Sequence, residues 1–469
     1  MNNHAPTVLT PGSGTLTGGN AEGKGCFGLG NRFVRFVHRF PRQIDPAAVN
    51  GRLEDVSETL PMRSRLAIAA GRAASAASRA VGRGRGQVIG GRVMLKIDPS
   101  LVQRLASSMQ VTAVSATNGK STTTRMIAEA LRTLGPVAHN LTGANMAAGV
   151  VTALSSSRQA RFAALEVDEA HLPSVAAATA ASQLVLMNLS RDQLDRGSEV
   201  RMLAERWRAM AQDLGPQVEV VANADDPMVA WAASAAPNVT WVGCGQWWGE
   251  DSALCPNCGA TLDRSGASWS CPQCGFARPD ARWYLTPDAA EVVTPTATVR
   301  PQLALPGRFN VANAAIALAA VSARGVALDA ALAAFAQVTD VDGRYVRSSV
   351  EGHEARLLLG KNPASWTEMM QLVADSPALL VTVLNARGAD GRDPSWIWDV
   401  PVEEWAGRPC WVAGERRFDL AVRLDTAGLE VLGVSLDPLA AVEQAAPGQA
   451  LDVVANYTAF QELRARVVK

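Results

Sequence analysis

Four short apolar runs, at residues 111–115, 162–167, 184–188 and 218–222, are separated by alanine-rich stretches of helical character. Strands buried on both faces read as near-continuous apolar runs, and parallel strands need a connection long enough to hold a helix. The alternation therefore predicts an open parallel sheet with helices packed on it, an α/β architecture. A chain of 469 residues has room for more than one such unit. A second strand–helix pattern follows, with strands expected at 355–359, 379–384, 410–413 and 451–454. The expected division is a central domain at 62–345 and a smaller α/β C-terminal domain at 346–469.

Residues 1–61 are rich in Gly, Asn, Pro and Arg without sustained periodicity and are expected to form a disordered extension. Residues 62–81 read as a helix in which Arg65, Arg72 and Arg79, seven apart, share one polar face. The glycine-rich stretch 82–91 is expected to break that helix as a flexible loop. Basic and acidic residues balance at 44 each, which gives no support to general nucleic-acid binding. No charged-then-apolar leader opens the chain. The long uncharged runs at 172–190 and 227–249 are interrupted by polar residues and proline, so a cytosolic protein without a bilayer span is expected.

The chemistry concentrates first at Val111-Thr-Ala-Val-Ser-Ala-Thr-Asn-Gly-Lys-Ser-Thr-Thr-Thr124. An apolar strand runs into a tight loop, and Gly119-Lys120-Ser121 opens a helix. A helix start offers unpaired N–H groups and a positive dipole end to phosphate. Lys120 would reach outer phosphates, and Ser121 or Thr122 would hold Mg²⁺. Val114 stands where the strict Gly-x-x-x-x-Gly-Lys-Ser/Thr pattern has glycine, so the strand–loop–helix context carries the reading. Glu166 and Asp168 close the next strand, and in open parallel sheets ligands bind at the carboxyl ends of strands.

Cys255-Pro-Asn-Cys258 and Cys271-Pro-Gln-Cys274 lie 12 residues apart, each followed by glycine. Two such knuckles place four thiolates around one Zn²⁺ with no open position, a structural ribbon inserted at about 244–282. Seven cysteines in all, an odd number, fit a reducing compartment better than a disulfide framework.

In the C-terminal half, Lys361-Asn362-Pro363 reads equally as a turn or as a cation placed for a phosphate or carboxylate. The stretch from Asn385 to Asp399 packs three aspartates, two arginines and two tryptophans into 15 residues. A plain loop seldom concentrates such groups.

The loop Thr117-Asn-Gly-Lys-Ser-Thr-Thr123 resembles the ATP loop of the Mur ligases and folylpolyglutamate synthetases. Gly143-Ala-Asn-Met-Ala-Ala148, Asn188-Leu-Ser-Arg-Asp-Gln-Leu-Asp195, Asn223-Ala-Asp-Asp-Pro227 and Gly307-Arg-Phe-Asn-Val-Ala-Asn313 follow in the family's order, as does Gly343-Arg344. The four-cysteine insertion, the Lys-Asn-Pro stretch and Asp390-Gly-Arg-Asp393 together resemble the MurT branch, the Mur-ligase-like subunit of lipid II isoglutaminyl synthase. That resemblance covers residues 62–469. It implies a Mur ligase-type central ATPase domain carrying a four-cysteine zinc ribbon. Thr117, Asn118, Gly119, Lys120, Ser121, Thr122, Asn313 and Arg344 would bind ATP, with Asn313 at the adenine, and Ser121 and Glu166 would hold magnesium.

The resemblance further implies a heterodimer with a GatD-like class I glutamine amidotransferase, to whose Cys-His pair Asp393 would be supplied as the third member. The reaction implied is ATP-dependent amidation of the D-glutamate α-carboxylate of lipid II at the inner membrane face, a step of peptidoglycan synthesis. Many Mur ligases carry a carbamylated lysine, but no lysine lies between Lys120 and Lys361 here. A free-standing Mur ligase and a silent scaffold that only completes the partner's triad are the alternatives.

Overall fold

The computed structural model describes residues 60–80, 86–140, 144–192, 200–245, 249–264, 268–339, 345–388 and 390–467. The expected extension lies outside these, apart from its last two residues. Helices α1 (Met62–Ala80) and α2 (Gln87–Ile97) form an antiparallel hairpin, since Ser64 at the start of α1 bonds Asp98 just past the end of α2 at 2.6 Å. After α3 (Leu101–Ala106) the order is β1 (Gln110–Ser115), α4 (Lys120–Leu131), β2 (Val137–His139), α5 (Ala147–Ser156), β3 (Phe162–Glu166), α6 (Leu172–Thr179) and β4 (Gln183–Leu186). Next come α7 (Val200–Gln212), β5 (Glu219–Asn223), α8 (Pro227–Ala233), β6 (Val239–Gly243), β7 (Trp283–Leu285), β8 (Val292–Val293) and β9 (Thr298–Val299). Helices α9 (Arg308–Ser322) and α10 (Leu328–Ala336) end this half.

The first sheet has the order β2-β3-β1-β4-β5-β6-β7-β8-β9, parallel through β7 and antiparallel beyond it. Strands β3 and β4 flank β1, with Val114 opposite Glu166 and Ser115 opposite Leu186. Every residue of β3 and β4 is buried, the burial the apolar runs predict for parallel strands covered on both faces. One core, with Leu105, Trp207 and Val229, and a second, with Ile127, Ile316 and Phe335, cover the two faces.

The second sheet comprises β10 (Tyr345–Val350), β11 (His353–Leu359), β12 (Leu379–Val383), β13 (Pro409–Ala413), β14 (Glu430–Ser435) and β15 (Leu451–Ala455). Its order is β10-β11-β15-β12-β13-β14, parallel except for the β10–β11 hairpin. Helices α11 (Pro363–Val373), α12 (Arg417–Thr426) and α13 (Tyr457–Val467) pack on it.

One expectation is corrected. The glycine-rich stretch at 82–91 is not a loop throughout, because α2 runs through Gly90 and Gly91. A Cβ on Gly90 would lie 2.0 Å from Ser75 Oγ, and one on Gly91 would lie 1.8 Å from the Ala148 carbonyl oxygen. These glycines serve close helix packing, which local propensity does not report. After the cysteine insertion the sheet resumes at Trp283 with β7, which is only three residues long.

The Gly91 contact yields a sign-inverted prediction. Gly→Ala inside a helix ordinarily stabilises by about 1 kcal/mol. Gly91→Ala should instead destabilise by roughly 1–3 kcal/mol, because α2 must move off α5. Thermal unfolding should show a lower Tm; an unchanged or raised Tm contradicts the packing.

Candidate active site

The loop after β1 turns at Gly119, whose φ of 85° is left-handed. A Cβ there would sit 2.5 Å from Asn313 Oδ1, so glycine lets the Asn313 side chain close on the loop. Thr117 is fully buried; its hydroxyl donates to the Ser190 carbonyl (3.2 Å) and accepts from the Ser190 N–H (3.1 Å). Lys120 is 4% exposed. Its ammonium donates to the carbonyls of Ala116 (2.8 Å) and Thr117 (3.3 Å) and pairs with Glu169 at 3.5 Å.

Two hydroxyls beside it, Ser121 Oγ and Thr123 Oγ1, are buried with no hydrogen-bond partner. Such groups cost about 1–3 kcal/mol, so an orphan here marks a position built for something else to satisfy. Glu166, 3% exposed, ends the strand beside β1. Asn140 holds its backbone on both sides (2.8 and 2.7 Å), and Asn145 Nδ2 lies 3.5 Å from its carboxylate. An orphaned helix-start hydroxyl and a buried carboxylate on the neighbouring strand are a donor set that suits a hard divalent cation.

A cavity opens in front of the loop. Its lining takes Asn118, Gly119 and Thr122 from the loop and α4, and Asn310, Asn313 and Ile316 from α9. Around the second sheet it takes Leu358, Lys361, Glu368 and Met369. Asn118 is the hinge of this arrangement. Its backbone N–H and carbonyl are both bonded by the Asn188 side chain at 2.9 Å. Its own side chain meets that of Asn362, which is fully buried. Asn362 caps α11 through the Ser365 N–H (2.9 Å) and donates to Asp192 (3.1 Å). Lys361 pairs with Asp192 at 2.8 Å. Burial alone would raise the Asp192 carboxyl, but the Lys361 ammonium and the Asn362 amide hold it below its ordinary range. Arg308 reaches across to Glu368 (3.0 Å). Asp226 caps α8 through the N–H groups of Met228 and Val229 and also accepts from Leu189; burial pushes it up to about 6.

The sulfurs of Cys255, Cys258, Cys271 and Cys274 all lie within 4.8 Å of one another, with Cys255–Cys274 at 3.7 Å and Cys258–Cys271 at 3.4 Å. Tetrahedral bonds of about 2.3 Å to one metal require sulfurs roughly 3.8 Å apart, so the cluster fits a metal ion. Gly259 and Gly275, at φ 81° and 73°, return each knuckle to its first cysteine. The insertion is tied to the sheet through Trp269, whose indole donates to the Ala224 carbonyl (3.2 Å), and through Arg278, which bonds Asp225.

Asp393 lies elsewhere, exposed in the loop after β12 and outside the cavity lining. The Ser395 N–H donates to it at 2.9 Å and holds its carboxyl below the usual range. Asp390 is instead buried and caps α13 through the Thr458 N–H (2.8 Å). Asp399 pairs with Arg191 at 3.1 Å. Thus the structure brings Thr117, Asn118, Gly119, Lys120, Ser121, Thr122 and Asn313 together at one loop, with Glu166 on the next strand. Arg344 lies outside the described residues. Glu169 was not singled out in the sequence, and in Lys361-Asn362-Pro363 it is Asn362, beside the cation, that meets the loop. Glu169 sits in the same acidic stretch as Glu166, and Asn362 was half-hidden in a proline turn.

A parallel sheet with a Gly-Lys-Ser helix start, closed over by a second α/β sheet, is the architecture of the Mur ligases. Solved structures share it: a pseudomurein peptide ligase type C from Methanothermus fervidus has a TM-score of 0.59 at 17% identity, over 76% of this chain and 78% of that one. MurF from Acinetobacter baumannii has 0.59 at 16%, over 80% and 79%. The Mur ligase middle domain model matches residues 114–321, and the MurT ligase C-terminal model matches 359–460. The lipid II isoglutaminyl synthase (glutamine-hydrolyzing) subunit MurT of Staphylococcus aureus strain COL is 30% identical over 394 residues, 79% of this chain and 89% of that protein. The protein of the same name from Streptococcus pneumoniae is 29% identical, over 74% and 83%. The chain belongs to the MurT family.

The sulfur geometry predicts one thiolate-bound metal per purified chain by elemental analysis. Cys258→Ser with a chelator should release it and shift the Trp269 fluorescence as the insertion unfolds. A metal-free chain with the same emission contradicts the site.

Proposed function

We propose that this chain is the ATP-using subunit of an enzyme that amidates the D-glutamate α-carboxylate in the peptide stem of lipid II. The observation that carries the reading is the buried Lys120 beside the orphaned Ser121 hydroxyl, with Glu166 on the adjoining strand, in a chain of the MurT family. Its two sheets are read as two domains meeting near residue 345, with the nucleotide between them. Lys120 and the helix-start N–H groups would neutralise the transferred phosphoryl group, where such catalysis gains most. Ser121 and Glu166 would hold Mg²⁺, which when bound supplies charge neutralisation between the phosphates. The apolar cavity lining around Ile316, Leu358 and Met369 suits a purine, with Asn313 at its edge. ATP would convert the carboxylate to an acyl phosphate, and ammonia would displace phosphate. Zn²⁺ in the four-cysteine cluster would act structurally.

The ammonia is assigned to a GatD-like glutaminase partner. Within this chain Cys410 is buried on β13, its thiol pushed up to about 12 by that burial. His353 begins β11, a strand that is not its neighbour, with Nδ1 on the Gln449 carbonyl oxygen. The exposed, ionised Asp393 is the group offered to the partner's imidazole, to orient it and stabilise its positive charge. A lipid-linked acceptor would put the complex at the inner membrane face; among the described residues no helix is long and apolar enough to cross a membrane.

Two outcomes test this. The parent chain should bind MgATP, and Lys120→Ala should weaken it at least tenfold by calorimetry; a parent that binds no nucleotide favours the scaffold reading. In the reconstituted complex Asp393→Ala should remove glutaminase activity while MgATP binding survives. Retained glutaminase activity moves the role to another residue.

A further inference from the structure

The helical hairpin α1–α2 is built with its amphipathicity reversed. The face of α1 against the protein carries Ser64, Gly71, Ser75 and Ser78 beside Ala67 and Ile68. Serine hydroxyls fasten it: Ser64 to Asp98 at 2.6 Å and Ser75 to the Gly86 carbonyl at 3.0 Å. The outward face carries Met62, Leu66, Ala69, Ala73, Ala76 and Ala80, at alternating spacings of four and three, all exposed. Met62 and Leu66 are 69% and 59% exposed. Arg65, Arg72 and Arg79 border that stripe on one side. On α2, Val88 and Ile89 are exposed beside Arg92 and Lys96.

The charge is equally one-sided. Residues 62–97 hold eight Arg and Lys and no Asp or Glu, in a chain whose totals balance at 44 and 44. Among the described residues Arg72, Arg79, Arg92 and Lys96 form no ion pair with a carboxylate; Arg72 instead reaches the Ser155 carbonyl at 3.3 Å. An apolar stripe bordered by cations is the pattern of a helix that lies in a membrane interface. A second copy of the same face would bring like charges together, and a nucleic acid would leave the apolar stripe unused.

We propose that the outward face of the α1–α2 hairpin docks on an anionic lipid bilayer, with Met62 and Leu66 entering the headgroup boundary and the arginines meeting lipid phosphates. The inference rests on the reading that the acceptor is lipid-linked. Position supports it. Helix α2 packs against α5 at Gly91 and Ala148, and Thr152 of α5 bonds the Gln87 carbonyl at 3.0 Å. Asn145, just before α5, reaches toward Glu166 at 3.5 Å. The basic face is therefore one helix away from the carboxylate end of β3, where a lipid-borne stem would be activated.

The test is flotation of the full chain, copurified with its partner subunit, on vesicles of phosphatidylcholine with or without roughly a third phosphatidylglycerol. Binding should require the anionic lipid and fall at least tenfold in roughly 0.5 M salt, since screening shortens the reach of surface charge. Leu66→Ser, and separately Arg72→Glu with Arg79→Glu and Arg92→Glu, should each weaken it at least tenfold. The same variants should lose tenfold in amidation of a bilayer-embedded acceptor yet match the parent on a lipid-free stem peptide. Absence of vesicle binding by the parent overturns the proposal, as do variants that bind unchanged. Two further results overturn it: an RNA probe captured by the parent and lost only on charge reversal, or a dimer that Leu66→Ser dissociates. A parent that floats but amidates neither acceptor leaves the docking face standing and removes the functional reading instead.

Discussion

The site is organised by one buried ammonium. Lys120 sits at a helix start, where the dipole end is already positive, and burying a charge there is costly unless it is compensated. Two loop carbonyls and Glu169 supply that compensation. Fixing Lys120 this way also fixes the loop. The carbonyls of Ala116 and Thr117 must point inward, and Gly119 must take a positive φ to begin α4. The orphaned Ser121 hydroxyl and the approach of Asn313 follow from that turn. The local structure is therefore set by the needs of a buried cation.

The second sheet is joined to this loop through polar contacts rather than a shared core. Asn362 caps α11 and bonds Asn118 with the same side chain, while Lys361 pairs with Asp192 and Arg308 with Glu368. Partly exposed ion pairs of this kind contribute about 0–1 kcal/mol each. The fully buried Asn362 is a different matter, because losing its partners would leave buried amide groups unsatisfied. Coupling the start of α11 to the loop after β1 makes the cavity a joint product of both sheets. Across the molecule, Arg191 reaches both Asp251, near the cysteine insertion, and Asp399, in the loop that carries Asp393.

Much of this was legible in the residues. Parallel strands buried on both faces leave continuous apolar runs, so β1, β3, β4 and β5 were placed to within two residues at either end. The cysteine knuckles declare themselves because their spacing has few other uses. What escaped notice depends on tertiary contact. Gly90 and Gly91 read as loop because helix propensity cannot report that another helix lies against them. The short strands β7, β8 and β9 leave too few residues for a period of two to register. Glu169 and Asn362 gain their roles from Lys120 and Asn118, partners 49 and 244 positions away in sequence. The loop around Asp393 was conspicuous in composition, yet only the structure separates its aspartates. Asp390 caps a helix, Asp399 pairs with an arginine, and Asp393 alone of the three stands exposed without a cation partner among the described ion pairs.

The central claim is a division of labour: this chain energises a carboxylate with nucleotide and receives its nitrogen from a companion. The most direct measurement incubates the isolated chain with MgATP, a lipid II stem acceptor and, in parallel reactions, ammonium chloride, glutamine or free amino acids. Product mass and ADP release are followed together. The account predicts amidation and ADP only with ammonium. Conversion with a free amino acid, or with glutamine in the partner's absence, would contradict it.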